Sequence, residues 1–167
     1  MKHVFLMGIL LIVCLVLQAT AFNYLTVAGV KPDLLLIVIV LYGLLYGKKA
    51  GVLGFVYGLA EDLLTGRFIG FNAITKGLMG LLIGYLEPKL FKDHILVPIV
   101  MLLVGTFVYG AFAYVIGLIV GLYSIIDFEA YLRIIILQSI YNACLAPFLY
   151  GKYYKISMER FMKKLRR

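Results

Sequence analysis

Glu61 and Asp62 stand side by side at the end of an otherwise apolar run, and Lys76 lies inside the next one. Arg67 falls between them, and Arg133 opens a later apolar segment. Ionised groups in such surroundings are costly unless they are paired or face water. The chemistry expected of these five residues is therefore charge pairing. Two readings stay open: a paired cluster that fixes a hairpin or contacts a partner, or interfacial charges with Lys76 and Arg133 snorkelling toward water. Nothing points to catalysis. The chain has no Walker sequence, HExxH, nucleophile elbow or catalytic carboxylate pair. His3 and His94 are isolated, with no metal-ligand spacing around them. Cys14 and Cys144 lie in apolar runs and read as packing residues rather than a disulfide. No catalytic residue, metal or cofactor is expected.

The elements that must hold these charges are set by composition. The chain is 64% hydrophobic over 167 residues, and its mean hydropathy is +1.05. A small water-soluble globule keeps too large a surface to hide that much apolar material. The runs lack the polar alternation of barrel strands, so helices in lipid are the expected solution. Six segments can be drawn: Val4 to Phe22, Pro32 to Tyr46, Ala50 to Leu64, Asn72 to Leu86, Ile95 to Tyr123 and Ala130 to Tyr150. The fold class expected is an all-α, polytopic membrane bundle of about six helices over residues 1–151. A basic cytoplasmic tail follows over 152–167.

Net charge is +8, but its placement reads as topology rather than as a nucleic-acid surface. Twelve of the sixteen Lys and Arg fall at the N-terminus, in alternate connections (Lys48, Lys49, Lys89, Lys92) or in the tail. The positive-inside rule then places both termini in the cytoplasm. The first segment also carries signal-peptide features: Lys2, an apolar stretch and Ala19-Thr20-Ala21. It is read as a retained anchor; cleavage after Ala21 would leave five helices.

Small residues form stripes. Gly47, Gly51, Gly54 and Gly58 fall within about 60° of arc at 100° per residue. Gly66, Gly70, Ala73, Gly77, Gly80 and Gly84 repeat the spacing in the next segment, and Gly117 and Gly121 form a shorter instance. Close packing of segments three and four is the expected use, and reception of a partner helix or ligand the alternative. Asp33, after Pro32, reads as a helix cap. Asn142 and Gln138 read as interhelical hydrogen-bond formers. In the tail, Met158, Phe161, Met162 and Leu165 share one face against basic residues. That pattern fits a helix on anionic lipid or a stop-transfer cluster.

The stretch from Pro32 to Leu86 resembles the rod shape-determining protein MreD family. The features are Lys31-Pro32-Asp33 before an apolar run, the Lys48-Lys49 turn, and Gly51-x-x-Gly54-x-x-x-Gly58-x-x-x-Asp62. Gly70-Phe71-Asn72-Ala73 then opens the next helix. Pro32, Asp33, Asp62 and Asn72 carry the resemblance. It implies a non-enzymatic inner-membrane scaffold of cell elongation, working with MreC, the actin-like MreB and the peptidoglycan synthases. A second reading is the substrate-binding subunit of an energy-coupling-factor vitamin transporter, with Asp62, Lys76 and Arg133 at the floor of its pocket.

Overall fold

The described residues of the computed structural model are 2–20, 26, 29–65, 68–87, 96–121 and 128–165. Side chains are described except at 2–6, 150 and 152–165. These residues form six helices and no strand: α1 (Lys2–Ala19), α2 (Leu34–Tyr46), α3 (Lys49–Thr65), α4 (Phe71–Leu86), α5 (Leu96–Ile119) and α6 (Phe128–Leu165). Gly66, Arg67, Ala21 and Asp127 lie outside the described residues, as do the side chains of Met158, Phe161, Met162 and Leu165.

A helix with no polar face must be kept from water by protein or by lipid. Leu34 to Leu41 is such a run, and each of its side chains is buried. The helix that carries it, α2, touches all five others and forms the axis of the bundle. The α3–α4 and α5–α6 hairpins are arranged around it. Gly47 ends α2 at φ 66°, a left-handed value that glycine adopts without strain, and α3 begins two residues later.

The α3–α4 hairpin is packed backbone to backbone. A Cβ on Gly54 would land on the carbonyl of Lys76, and one on Gly58 on the carbonyl of Asn72. From the other side, Gly80 meets the carbonyl of Ala50 and Gly84 that of Gly47. Gly51 faces the side chain of Leu81 instead, and a Cβ at Gly77 would make an ordinary contact with Phe55 Cβ at 3.4 Å. Ala73 is wholly buried.

Two boundaries differ most from the sequence reading. Gly121, at φ 76°, follows the end of α5, which stops at Ile119. α6 does not stop at Tyr150. It runs through Pro147 and Gly151 to Leu165, 38 residues in all. Pro147 removes one backbone donor but does not end the helix. By length and composition Leu96–Ile119 and Phe128–Leu149 can cross a membrane, while Met7–Ala19, Leu34–Tyr46 and Phe71–Leu86 are shorter apolar helices. Large apolar side chains stand exposed on the outer faces of α1, α5 and α6, among them Ile12, Val100, Phe107, Ile140 and Phe148. Such a surface suits lipid or other protein rather than water.

The glycine contacts predict a graded series. Gly54→Ala, Gly58→Ala and Gly80→Ala should each destabilise the folded protein by about 1–3 kcal/mol, because a carbonyl cannot yield as a side chain can. Gly77→Ala should be neutral or slightly stabilising, since alanine is the better helix former. Val52→Leu, on an outward position 71% exposed, should be mild. Thermal melting of the purified variants in one detergent tests the ranking.

Candidate functional site

Among the described residues, Lys76 is the largest side chain that is wholly buried. An ammonium there needs anions and hydrogen-bond acceptors around it. α4 carries it in the turn where Gly54 lets α3 approach the Lys76 carbonyl. Its Nζ lies 2.9 Å from Asp33 Oδ2 and 3.2 Å from Asp33 Oδ1. It also forms an ion pair with Glu61. The ring of Tyr109 lies beneath it, 5.9 Å from the nitrogen to the centroid, within cation–π range. One ammonium thus ties α2, α3 and α4 together, with α5 supplying the ring.

Asp33 reaches this position because it begins α2. Its Oδ1 accepts the backbone N–H of Leu36 at 2.9 Å, an N-cap bond. The same oxygen accepts the Gln18 amide from α1 at 3.2 Å. The Asp33 N–H donates to Asn142 Oδ1 on α6 at 3.0 Å. Asn142 in turn donates to Thr106 Oγ1 on α5 at 3.1 Å. Gln138, a turn away on α6, donates to the Lys31 carbonyl. Every helix therefore contributes to a polar layer at the level where α2 starts.

Asp62 has a different task. Its Oδ2 accepts the N–H groups of Gly70 and Ala73, at 2.9 and 3.1 Å, and its Oδ1 accepts that of Asn72 at 3.1 Å. The start of a helix exposes unpaired N–H groups and a positive dipole end. Gly70 has no side chain to cap them, so Asp62 does so from the preceding helix. Asn72 is held further by Tyr109, whose hydroxyl donates to Asn72 Oδ1 at 3.3 Å.

The structure therefore brings Glu61 and Lys76 together and adds Asp33. It uses Asp62 beside them as a cap. Arg133 is exposed on α6 and makes no ion pair with Asp33, Glu61 or Asp62. Sequence reasoning missed Asp33 as an ion-pair partner, and with it Gln18 and Tyr109. The available signal was one of stoichiometry: a lysine inside an apolar helix needs more than one acceptor, and Asp33 was one of the few carboxylates at that level. Among the described residues no group of three His, Cys, Asp or Glu is placed to hold a metal ion.

Removing the ammonium should leave two carboxylates facing each other without a counter-charge. Lys76→Met is expected to cost about 3–5 kcal/mol. Combining it with Asp33→Asn and Glu61→Gln should recover a large part of that loss, because the three groups act as a unit. Asp62→Ala should cost about 1–2 kcal/mol through the lost cap. Denaturant titration of the reconstituted protein measures all three.

A model of the rod shape-determining protein MreD family matches residues 1–156. Neither a curated protein nor a solved structure matches. The matched range spans α1 to α5 and most of α6, including every residue of the polar layer. The chain belongs to the MreD family, membrane proteins with a role in rod shape determination.

Proposed function

We propose that this chain is a non-enzymatic, inner-membrane scaffold of the cell-elongation machinery. The family match over residues 1–156 carries this reading. The architecture is consistent with it. The charged groups of the polar layer are engaged in holding helices together, and Asp62 already receives three backbone donors. Contacts with other proteins fall to the apolar faces of α1, α5 and α6, the connections and the basic tail. MreC, MreB and the peptidoglycan synthases are the partners this reading assigns, and the tail has the charge to meet anionic lipid.

The reading includes six membrane spans with both termini cytoplasmic. The objection is length: α2 has 13 residues and α4 has 16, about 20 and 24 Å against a hydrocarbon core of about 30 Å. The two helices are not alike in what answers it. α2 is enclosed by protein along most of its length, so its ends need not match the lipid by themselves. α4 presents lipid-facing residues such as Leu78 and Leu81, with Tyr85 at its inner end, where an aromatic ring suits the interface.

Deletion of the gene from a rod-shaped host with no second copy should give round cells, and MreC should co-purify with the wild-type protein. Unchanged rods after deletion would refute the scaffold. Topology has its own test. Lys48→Cys should be protected from an impermeant thiol reagent added outside, and Asp127→Cys should be labelled; the opposite pattern excludes the proposed orientation.

A further inference from the structure

A groove of about 370 Å³ runs along the outward face of α4, walled by Phe112 of α5 and bounded at one end by Lys48 of the α2–α3 turn. Leu78, Leu81, Leu82 and Tyr85 form its floor. Their spacing of i, i+3, i+4 and i+7 puts them on one side of the helix. Gly51 lets Leu81 lie against α3, because a Cβ on Gly51 would collide with the leucine side chain. Leu78, Leu81 and Tyr85 stand exposed. Apart from the Tyr85 hydroxyl, the side chains of the floor and of the α5 wall offer only hydrocarbon.

The mouth of this groove is basic. Lys48 Nζ lies 5.4 Å from the centroid of the Tyr85 ring, within cation–π range. The ring holds the ammonium at the end of the apolar floor, and the lysine stays exposed. Lys49, the next residue, is exposed as well, and neither lysine makes an ion pair with a described carboxylate. Glu87 sets a carboxylate oxygen beside Gly47. The described charges at this turn are therefore two ammoniums against one carboxylate. Asp33, Glu61 and Asp62 are engaged at the opposite ends of α2 and α3. The start of α3 at Lys49 adds the positive end of its dipole. An anion suits the mouth, and a hydrocarbon suits the floor.

We propose that this groove holds one acyl chain of an anionic phospholipid, with the lipid phosphate on the Lys48 ammonium. Size favours a chain over a partner helix. From Leu78 to Tyr85 the floor is about 10 Å long. Two turns of helix, about 10 Å across, occupy roughly 800 Å³, about twice the volume of the groove, and an acyl chain is far thinner. The charge at the mouth selects an anionic headgroup over a zwitterionic one, since each lysine near a membrane surface favours anionic lipid. The inference rests on α4 facing lipid and not on the scaffold role. A failed lipid test leaves the cell-shape phenotype and the thiol labelling as they are, so the two readings fail separately.

The chain has no tryptophan, so Phe112→Trp places a single fluorophore on the groove wall. The full-length variant is reconstituted in mixed phosphatidylglycerol and phosphatidylcholine vesicles, with bromine on the acyl chains of one lipid or the other. Brominated phosphatidylglycerol should quench it with an apparent association constant about fivefold above that of brominated phosphatidylcholine. Ile140→Trp, on the exposed face of α6, should show no such preference. Adding Lys48→Gln to Phe112→Trp should remove the preference and leave quenching by both lipids. Equal quenching at Phe112→Trp overturns the proposal, as does the same preference at Ile140→Trp or one that survives Lys48→Gln. Weak quenching by both lipids at Phe112→Trp also overturns it and assigns the groove to protein. Where the tryptophan variant fails to fold, native mass spectrometry of the unsubstituted chain decides. One phosphatidylglycerol should be retained at a detergent concentration that strips phosphatidylcholine, and loss of both lipids together refutes the site.

Discussion

Burying the ammonium of Lys76 is the constraint from which the rest of the bundle follows. A lone charge at that depth would be excluded from any stable fold. Two carboxylates answer it, and they come from different helices. Asp33 has to be delivered by the start of α2 and Glu61 by the end of α3, which fixes the relative height of α2, α3 and α4. A buried ion pair of this kind is weak evidence for net stability. It is better evidence for register, because sliding any one helix by a turn would strand a charge.

Close approach is the second requirement, and it comes from the glycines rather than from the charges. At Gly54 the α3 backbone meets the Lys76 carbonyl, so the hairpin is tightest at the residue that carries the ammonium. Asp62 then closes the same hairpin from its end by taking the first N–H groups of α4. Packing and polar satisfaction thus agree within one pair of helices, as a sequence that specifies a single structure requires.

Much of this was legible in the chain because it is local. The unbroken apolar run from Leu34 to Leu41 reads directly as a helix kept from water, and the spacing of Gly51, Gly54 and Gly58 reads directly as one face. The partners of those glycines do not, since Gly54 meets a carbonyl and Gly51 a side chain at the same periodicity. Asp33 was legible only as a cap. Capping takes one lone pair of a carboxylate and leaves the others to contacts 43 and 15 residues away, which no local pattern encodes. Arg133 shows the converse: its level along the chain suggested the cluster, but its side of α6 is exposed, and side is set by packing that the sequence does not display.

The unbroken course of α6 has a mechanical meaning. Beyond Gly151 the helix continues for residues 152–165, an arm of about 21 Å. Because no loop separates this arm from the bundle, its heading is inherited from the packing of α5, α2 and the polar layer around Asn142. A molecule that grips the arm has leverage on the bundle, and a tilt of the bundle swings the arm. Laying the arm flat on a membrane surface would require a hinge, and Gly151, without a side chain to brace the turn, is where the backbone would yield first.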